Sequence, residues 1–185
     1  YEGNRGPNTG SMGSISYANH KLPFLSDEEV IEARCVNNSV IKILNSTISN
    51  EDCYKGILYG SFMKTETGLK VIEFNARFGD PECINILNIL DTPLSDIFNG
   101  IVNNKLSHIN INYRNTYSVC KYLVPKGYPT KSEFNKLIQL PNIYAEEDNL
   151  YFSSISKSVN NMNFTGNSRT LAYCLTKSDL RARRI

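Results

Sequence analysis

Apolar and polar residues alternate through residues 71–78. Successive side chains on a β-strand point to opposite faces, so this pattern predicts a strand. One face of the strand would carry three polar side chains, those of Glu73, Asn75 and Arg77. The other face would bury apolar side chains against a core, namely those of Ile72, Phe74, Ala76 and Phe78.

Helical periodicity marks a second kind of segment. Apolar residues recur at helical spacing through residues 26–48, and Ser26 and Glu29 have the Ser-x-x-Glu spacing of a capping box at the start of that segment. Two shorter helices are predicted at residues 81–90 and 93–106, and we interpret their apolar stripes as core.

Further strands are predicted from short apolar runs between turn residues. Residues 55–63 and 69–74 would form a hairpin around a turn at 65–68, which brings Tyr59 and Ser61 beside the polar strand. Residues 116–176 change to short β-like runs, at 117–124, 137–140, 142–145, 150–155 and 170–175. We therefore expect a mixed α/β region over residues 1–106, a polar linker over 107–115 and a small β-rich domain over 116–185.

Two glycine-containing segments flank these elements. Residues 1–19 contain Gly3, Gly6, Gly10 and Gly13, and we predict a loop there whose consecutive N–H groups could face an anion. Directly after the polar strand, Gly79 permits a turn, Asp80 is a candidate helix cap and Pro81 suits the first helical position. A helix start offers N–H groups to an anion as well.

Composition narrows the function classes. The chain has 185 residues with a formal net charge of +2, which gives no support to a nucleic-acid or membrane partner. No apolar run approaches the roughly 20 residues that span a bilayer. The five cysteines are widely spaced and contain no Cys-x-x-Cys, which is typical of reduced, intracellular thiols.

The polar row itself has a definite chemistry. A carboxylate at Glu73 and an amide oxygen at Asn75 suit a hard divalent cation that also binds substrate phosphates. A guanidinium at Arg77 suits a carboxylate or phosphate, which it grips with two hydrogen bonds. On alternation alone, an exposed strand with a surface Glu/Arg pair explains the same row.

Two motifs resemble those of the phosphoribosylamine–glycine ligases, which are ATP-grasp enzymes of purine synthesis. The first is Glu73-Phe74-Asn75-Ala76-Arg77-Phe78-Gly79-Asp80-Pro81-Glu82, and the second is Gly6-Pro7-Asn8-Thr9-Gly10-Ser11-Met12-Gly13, in which Ser11 replaces a usual Gly. The resemblance continues through residues 119–129 and 165–169. It implies an α/β fold, the C-terminal part of an ATP-grasp domain with an antiparallel sheet and helices, followed by a small β-rich domain.

The resemblance also implies a reaction and roles for residues. ATP would drive the ligation of glycine to 5-phosphoribosylamine through a glycyl phosphate, with Mg²⁺ or Mn²⁺ held by Glu73 and Asn75. Arg77 would neutralise the glycyl phosphate or the attacked oxygen, and Asp80 would either orient an amine or cap the helix. Substrate contacts would come from Asn8, Thr9, Gly10, Met12, Arg77 and Gly79. Arg169 is interpreted as a surface or interdomain ion-pair residue, with a substrate contact as the alternative.

Two other functions stay open at this point. One is a different ATP-grasp carboxylate–amine ligase, and the other is a non-catalytic binding module derived from the same fold. We expect the chain to be a fragment of a longer cytoplasmic protein, inactive by itself, that is a monomer or dimer and binds small molecules rather than nucleic acid or membranes.

Overall fold

The computed structural model describes residue 3 and residues 5–47, 53–139, 149–158, 160 and 162–178. They contain three helices and eight strands: β1 (Gly13–Ser16), α1 (Asp27–Thr47), β2 (Tyr59–Thr65), β3 (Gly68–Asn75), α2 (Glu82–Ile89), α3 (Leu94–Val102), β4 (Tyr117–Leu123), β5 (Leu150–Phe152), β6 (Ile155–Lys157), β7 (Asn163–Thr165) and β8 (Leu171–Lys177). A 3₁₀ turn spans Leu106–His108. The predicted class, a mixed α/β fold with antiparallel sheets, is confirmed.

These elements form two compact units. The first unit draws on residues 1–18, 80–89 and 115–185, and the second on residues 19–79 and 90–114. The units therefore cut across the predicted segments 1–106, 107–115 and 116–185. The evolutionary division into a catalytic domain, a linker and a small domain stays a prediction.

The first unit is built on a four-stranded antiparallel sheet in the order β1-β4-β8-β5. Inward-facing side chains of β4 and β8 form its core, which consists of Cys120, Tyr122, Ala172 and Cys174. Helix α2 packs against β1, β4 and β8. A buried polar network secures it, because the Asn85 amide donates to Ser118 Oγ at 3.0 Å and accepts from Ser14 Oγ.

The second unit contains α1, the β2–β3 hairpin and α3. Helix α1 begins as the sequence predicts, because the Ser26 N–H donates to Glu29 Oε2 at 2.8 Å and the Glu29 N–H donates to Ser26 Oγ at 3.2 Å. The hairpin turns at Gly68, whose φ of 98° favours glycine. Helix α3 ends earlier than predicted, since Asn104 adopts a positive φ of 56°.

The structure differs from the sequence-based expectation at four further places. Residues 13–16 are a strand rather than loop, because glycine at position 13 lets β1 approach β4 so closely that a Cβ there would lie 2.6 Å from the Cys120 carbonyl oxygen. Residues 163–165 form an unpredicted strand that pairs with β6. The predicted run 150–155 is divided between β5 and β6. Ile72 and Phe74 are exposed, at 56% and 37%, because a two-stranded hairpin cannot cover both of its faces.

Two further strands are predicted from the sequence, at residues 137–140 and 142–145. In residues 137–139, the structure shows an isolated bridge between Leu137 and Phe164. The predicted run 142–145 lies outside the described residues. Among the described helices, none has both the length and the apolar character needed to cross a bilayer.

Candidate functional site

The polar face of β3 places Glu73 and Asn75 side by side. The Asn75 Nδ2 donates a hydrogen bond of 2.8 Å to Glu73 Oε1, which confirms that both side chains share one face. On the neighbouring strand, Ser61 is opposite Glu73 and Tyr59 is opposite Asn75, as the predicted hairpin requires. The pairing register of β2 and β3 shifts directly beyond Ser61, at a bulge between Ser61 and Phe62.

Arg77 does not continue this row, in contrast to the prediction. Strand β3 ends at Asn75, because its partner residue Tyr59 is the first residue of β2 and no later residue of β3 has a partner in the part of the chain that the structure describes. Arg77 lies in the bend that follows, where its Nη1 donates to the Phe78 carbonyl oxygen at 2.8 Å. Its remaining N–H donors leave room for an anionic ligand.

The pair on β3 fits a divalent cation by its donor chemistry. Glu73 supplies an exposed carboxylate, and Asn75 donates its amide N–H to that carboxylate, so the amide would have to rotate for both oxygens to bind one cation. Mg²⁺ and Mn²⁺ prefer such oxygen ligands and commonly keep only one or two from the protein. Within the described residues, no group of three or more His, Cys, Asp or Glu side chains could hold a metal ion, so a site here would rely on these two residues and substrate oxygens.

In the first unit, Arg169 holds the glycine-rich loop that precedes β1. Its Nη1 donates to the carbonyl oxygens of Gly10 at 2.5 Å and Ser11 at 3.0 Å. Its side chain is only 16% exposed, so it is not a free surface residue. The prediction of an ion pair is confirmed by its bond to Asp80, whereas the expected surface or interdomain position is wrong, because Arg169 is mostly buried and Asp80 belongs to the same unit.

Asp80 joins the same cluster with both carboxylate oxygens. Its Oδ2 forms an ion pair with Arg169 Nη2 at 2.8 Å, and its Oδ1 accepts from the Tyr122 hydroxyl at 2.7 Å. Helix α2 begins at Glu82, one residue later than predicted, and the recorded side-chain bonds of Asp80 go to Tyr122 and Arg169. The guanidinium also lies over the Tyr122 ring, with Cζ 4.6 Å from the ring centroid.

Burial and the neighbouring carboxylate set the acidity of this cluster. Burial raises the pKa of Tyr122 to about 12, and its hydrogen bond and charge interaction with Asp80 act in the same direction. Burial also raises the pKa of the Cys83 thiol, with Asp80 and Glu82 adding to the shift. The Tyr122 phenol is therefore a stable hydrogen-bond donor to Asp80 at neutral pH.

The structure distributes the predicted site residues between the two units. The first unit contains Asn8, Thr9 and Gly10, which are exposed, together with Met12 and Asp80, and the second contains Glu73, Asn75 and Arg77 together with Gly79, which is buried. Tyr122 is not among the site residues predicted from the sequence. Its alternation with Ser118 and Cys120 indicates a core strand but does not reveal that its hydroxyl contacts Asp80.

Comparisons with known proteins test the family resemblance. Residues 1–83 match the family model of the phosphoribosylglycinamide synthetase ATP-grasp (A) domain. The phosphoribosylamine–glycine ligase of Methanocorpusculum labreanum is 44% identical over 173 residues, which are 94% of this chain and 39% of that protein. This chain is similar to a segment of the phosphoribosylamine–glycine ligases. It spans about two fifths of the length of such relatives, as it does in the ligase of Methanocaldococcus jannaschii, which is 40% identical and 38% covered.

Solved structures show that the fold is shared with these ligases. The crystal structure of the phosphoribosylamine–glycine ligase from Thermotoga maritima matches 96% of this chain and 42% of that chain, with a TM-score of 0.72 and 24% identity. A phosphoribosylglycinamide synthetase from Anaerococcus prevotii matches with a TM-score of 0.54 and 12% identity. The resemblance noted in the two motifs is thus confirmed by family, relatives and fold.

Proposed function

We propose that the protein containing this chain ligates glycine to 5-phosphoribosylamine, with ATP converted to ADP and phosphate. The observation that carries this proposal is the 44% identity, over 94% of the chain, with a phosphoribosylamine–glycine ligase. The donor pair on β3 supports it from the structure, because a carboxylate and an amide oxygen are suited to a cation that binds ATP phosphates.

The proposed reaction requires residues that position the substrates and does not require a side-chain nucleophile. Glu73 and Asn75 would hold a divalent cation, which when bound would neutralise charge on the phosphates. Arg77 would face the acyl phosphate with the guanidinium donors that its bond to Phe78 leaves unused. Substrate contacts from Asn8, Thr9, Gly10, Met12 and Gly79 remain part of the proposal.

The role of Asp80 is narrowed by its bonds. Both carboxylate oxygens already accept hydrogen bonds, from Tyr122 and from Arg169. We propose that Asp80 holds the Arg169 guanidinium, and through it the glycine-rich loop before β1, rather than capping α2. Orientation of the substrate amine by Asp80 would need one of these bonds to be shared.

The first prediction concerns the cation ligands. In the intact protein, Glu73→Ala or Asn75→Ala should lower the rate of ADP release by more than about 100-fold, since even partners that only orient metal ligands contribute about 10- to 100-fold. The measurement is ADP release with ATP, Mg²⁺ or Mn²⁺, glycine and 5-phosphoribosylamine generated in place, each omitted in turn.

Glu66→Ala provides the matched control, because Glu66 is an exposed carboxylate in the turn of the same hairpin. It should leave the rate unchanged. Wild-type rates in both ligand variants would overturn the cation assignment. Turnover with another acid in place of glycine would identify a different ATP-grasp ligase, and binding of ATP without turnover would identify a non-catalytic module.

Three finer points belong to the same proposal. The experiment compares Mg²⁺ with Mn²⁺ directly, because both suit the oxygen donors. We place the protein in the cytoplasm, which is consistent with five cysteines that are all unpaired. We expect a monomer or dimer, which light scattering of the intact protein would test.

A further inference from the structure

Arg169 contacts several backbone carbonyl oxygens and one carboxylate through its guanidinium. Its Nη1 lies within hydrogen-bond distance of three backbone carbonyl oxygens, which belong to Gly10, Ser11 and Asp80. Its Nη2 is paired with the Asp80 carboxylate. The guanidinium thus ties the loop before β1 to Asp80, two residues before α2, within the first unit.

This clamp determines where the loop directs its N–H groups. In a trans peptide the N–H points opposite to the carbonyl of the preceding residue. Because the carbonyls of Gly10 and Ser11 point to Arg169, the N–H groups of Ser11 and Met12 point away from it. Ser11 has a φ of 75°, the left-handed conformation found in backbone nests that bind anions. Among the described residues, no backbone carbonyl accepts a hydrogen bond from these two N–H groups.

Glycine at position 10 allows the loop to pack closely against Arg169. A Cβ on Gly10 would lie 3.2 Å from Arg169 Nη2 and 3.3 Å from its Cζ, which is closer than side chains normally approach. The loop and the guanidinium therefore pack against each other without a side chain between them. The close packing fixes the carbonyl of Gly10 on the arginine.

The charge of Arg169 is already used inside the cluster. Asp80 neutralises it at 2.8 Å, and the Tyr122 ring covers its face at 4.6 Å. A guanidinium that is paired and covered in this way is poorly placed to bind a substrate anion itself. Its effect on a ligand would be transmitted through the backbone that it holds.

We propose that Arg169 is a positioning residue of the ligase, which orients the N–H groups of Ser11 and Met12 toward an anionic oxygen of a substrate. This inference rests on the proposed function. The ligand class is a phosphate or carboxylate oxygen, and the three substrates ATP, glycine and 5-phosphoribosylamine all offer one.

Kinetics of the intact protein provide the first test. Arg169→Gln should raise the KM for at least one substrate by about tenfold or more, while kcat changes much less, because the loop binds the anion in the ground state and the transition state alike. Arg169→Lys keeps the charge but not the fork, so it should show the same split. The control Lys126→Gln removes an exposed cation of the same unit and should have no effect.

A merely structural role would lower the melting temperature of both Arg169 variants without changing any KM, and that result would overturn the proposal. A spectroscopic arm keeps the test independent of turnover. In amide NMR spectra, inorganic phosphate should shift the Ser11 and Met12 resonances of the wild type, with at least tenfold weaker binding in Arg169→Lys. Absence of these shifts in the wild type, or equal binding in the variant, would also overturn it.

The two arms separate this inference from the proposed function. A protein that lacks ligase turnover but shows the phosphate-induced shifts and their loss in Arg169→Lys would contradict the ligase assignment and retain the positioning role. A protein with full turnover and unchanged KM values in both variants would retain the ligase assignment and contradict the positioning role.

Discussion

Tyr122 shows how a single residue connects the core of the first unit to its loop cluster. Its ring is 5% exposed and packs with Cys120, Ala172 and Cys174, while its hydroxyl donates to Asp80. The same side chain therefore contributes apolar contacts on one side and a charge-assisted hydrogen bond on the other. Burial and Asp80 together account for the raised pKa.

This shift predicts an alkaline loss of stability. The pKa of Tyr122 rises from 10.0 to about 12 on folding, so the neutral phenol is favoured in the native state. Above pH 10 the unfolded chain releases this proton first, and the contribution, fully present below pH 10, is lost as the pH approaches about 12. Tyr122→Phe should flatten this part of the curve, measured by urea unfolding at a series of pH values.

Tyr128→Phe is the control for that experiment, because it removes a phenol elsewhere and leaves Tyr122 in place. It should retain the alkaline loss of stability. NMR titration of ¹³C-labelled tyrosine rings provides a direct value for the Tyr122 pKa. A midpoint at or below pH 10 would contradict the expected shift.

At the scale of elements, structure that depends on neighbouring residues can be predicted from the sequence, whereas structure that depends on distant residues cannot. The capping box of Ser26 and Glu29 is contained in four residues, and the structure shows both of its hydrogen bonds. Strand β1 is different, since its partner strand β4 lies far along the chain, with Lys121 opposite Gly13. The residues of β1 themselves have the pattern of a glycine-rich loop. The end of β3 at Asn75 depends likewise on where β2 begins, so the position of Arg77 could not be predicted from alternation.

The helix start offers a prediction at this scale. Ser26→Ala should destabilise α1 by about 1 kcal/mol, because it removes the acceptor for the Glu29 N–H. None of the described residues of α1 is buried, so packing gives this helix little compensation. The measurement is amide hydrogen exchange in the first turn of α1, which should become faster.

Ser39→Ala tests the position dependence of that effect. Ser39 is exposed within α1, and its hydroxyl donates to the Cys35 carbonyl oxygen rather than to a cap. Alanine favours the helix interior, so exchange should stay the same or become slower. Faster exchange in Ser39→Ala than in Ser26→Ala would contradict the capping account.

At the scale of the whole molecule, the first unit is assembled from three separated stretches, residues 1–18, 80–89 and 115–185. Long-range strand pairing joins them, and periodicity in one sequence carries little information about such pairing. Which side chains lie together is therefore harder to predict from sequence than the chemical type of each side chain. Glu73 and Asn75 could be paired from alternation, whereas the contacts of Asp80 with Arg169 and Tyr122 required the sheet.

The distribution of burial predicts how protection should vary along the chain. Strands β4 and β8 are each paired on both sides and include Cys120, Ala172 and Cys174, which are at most 1% exposed. The β2–β3 hairpin has two strands only, and Val71, Ile72 and Glu73 are all exposed. Regions with few buried contacts open at lower free energy, so amides of β4 and β8 should exchange much more slowly than those of β2 and β3. Hydrogen exchange with mass spectrometry on the intact protein measures this difference without any ligand, and slower exchange in the hairpin would show that its exposed apolar face is covered there.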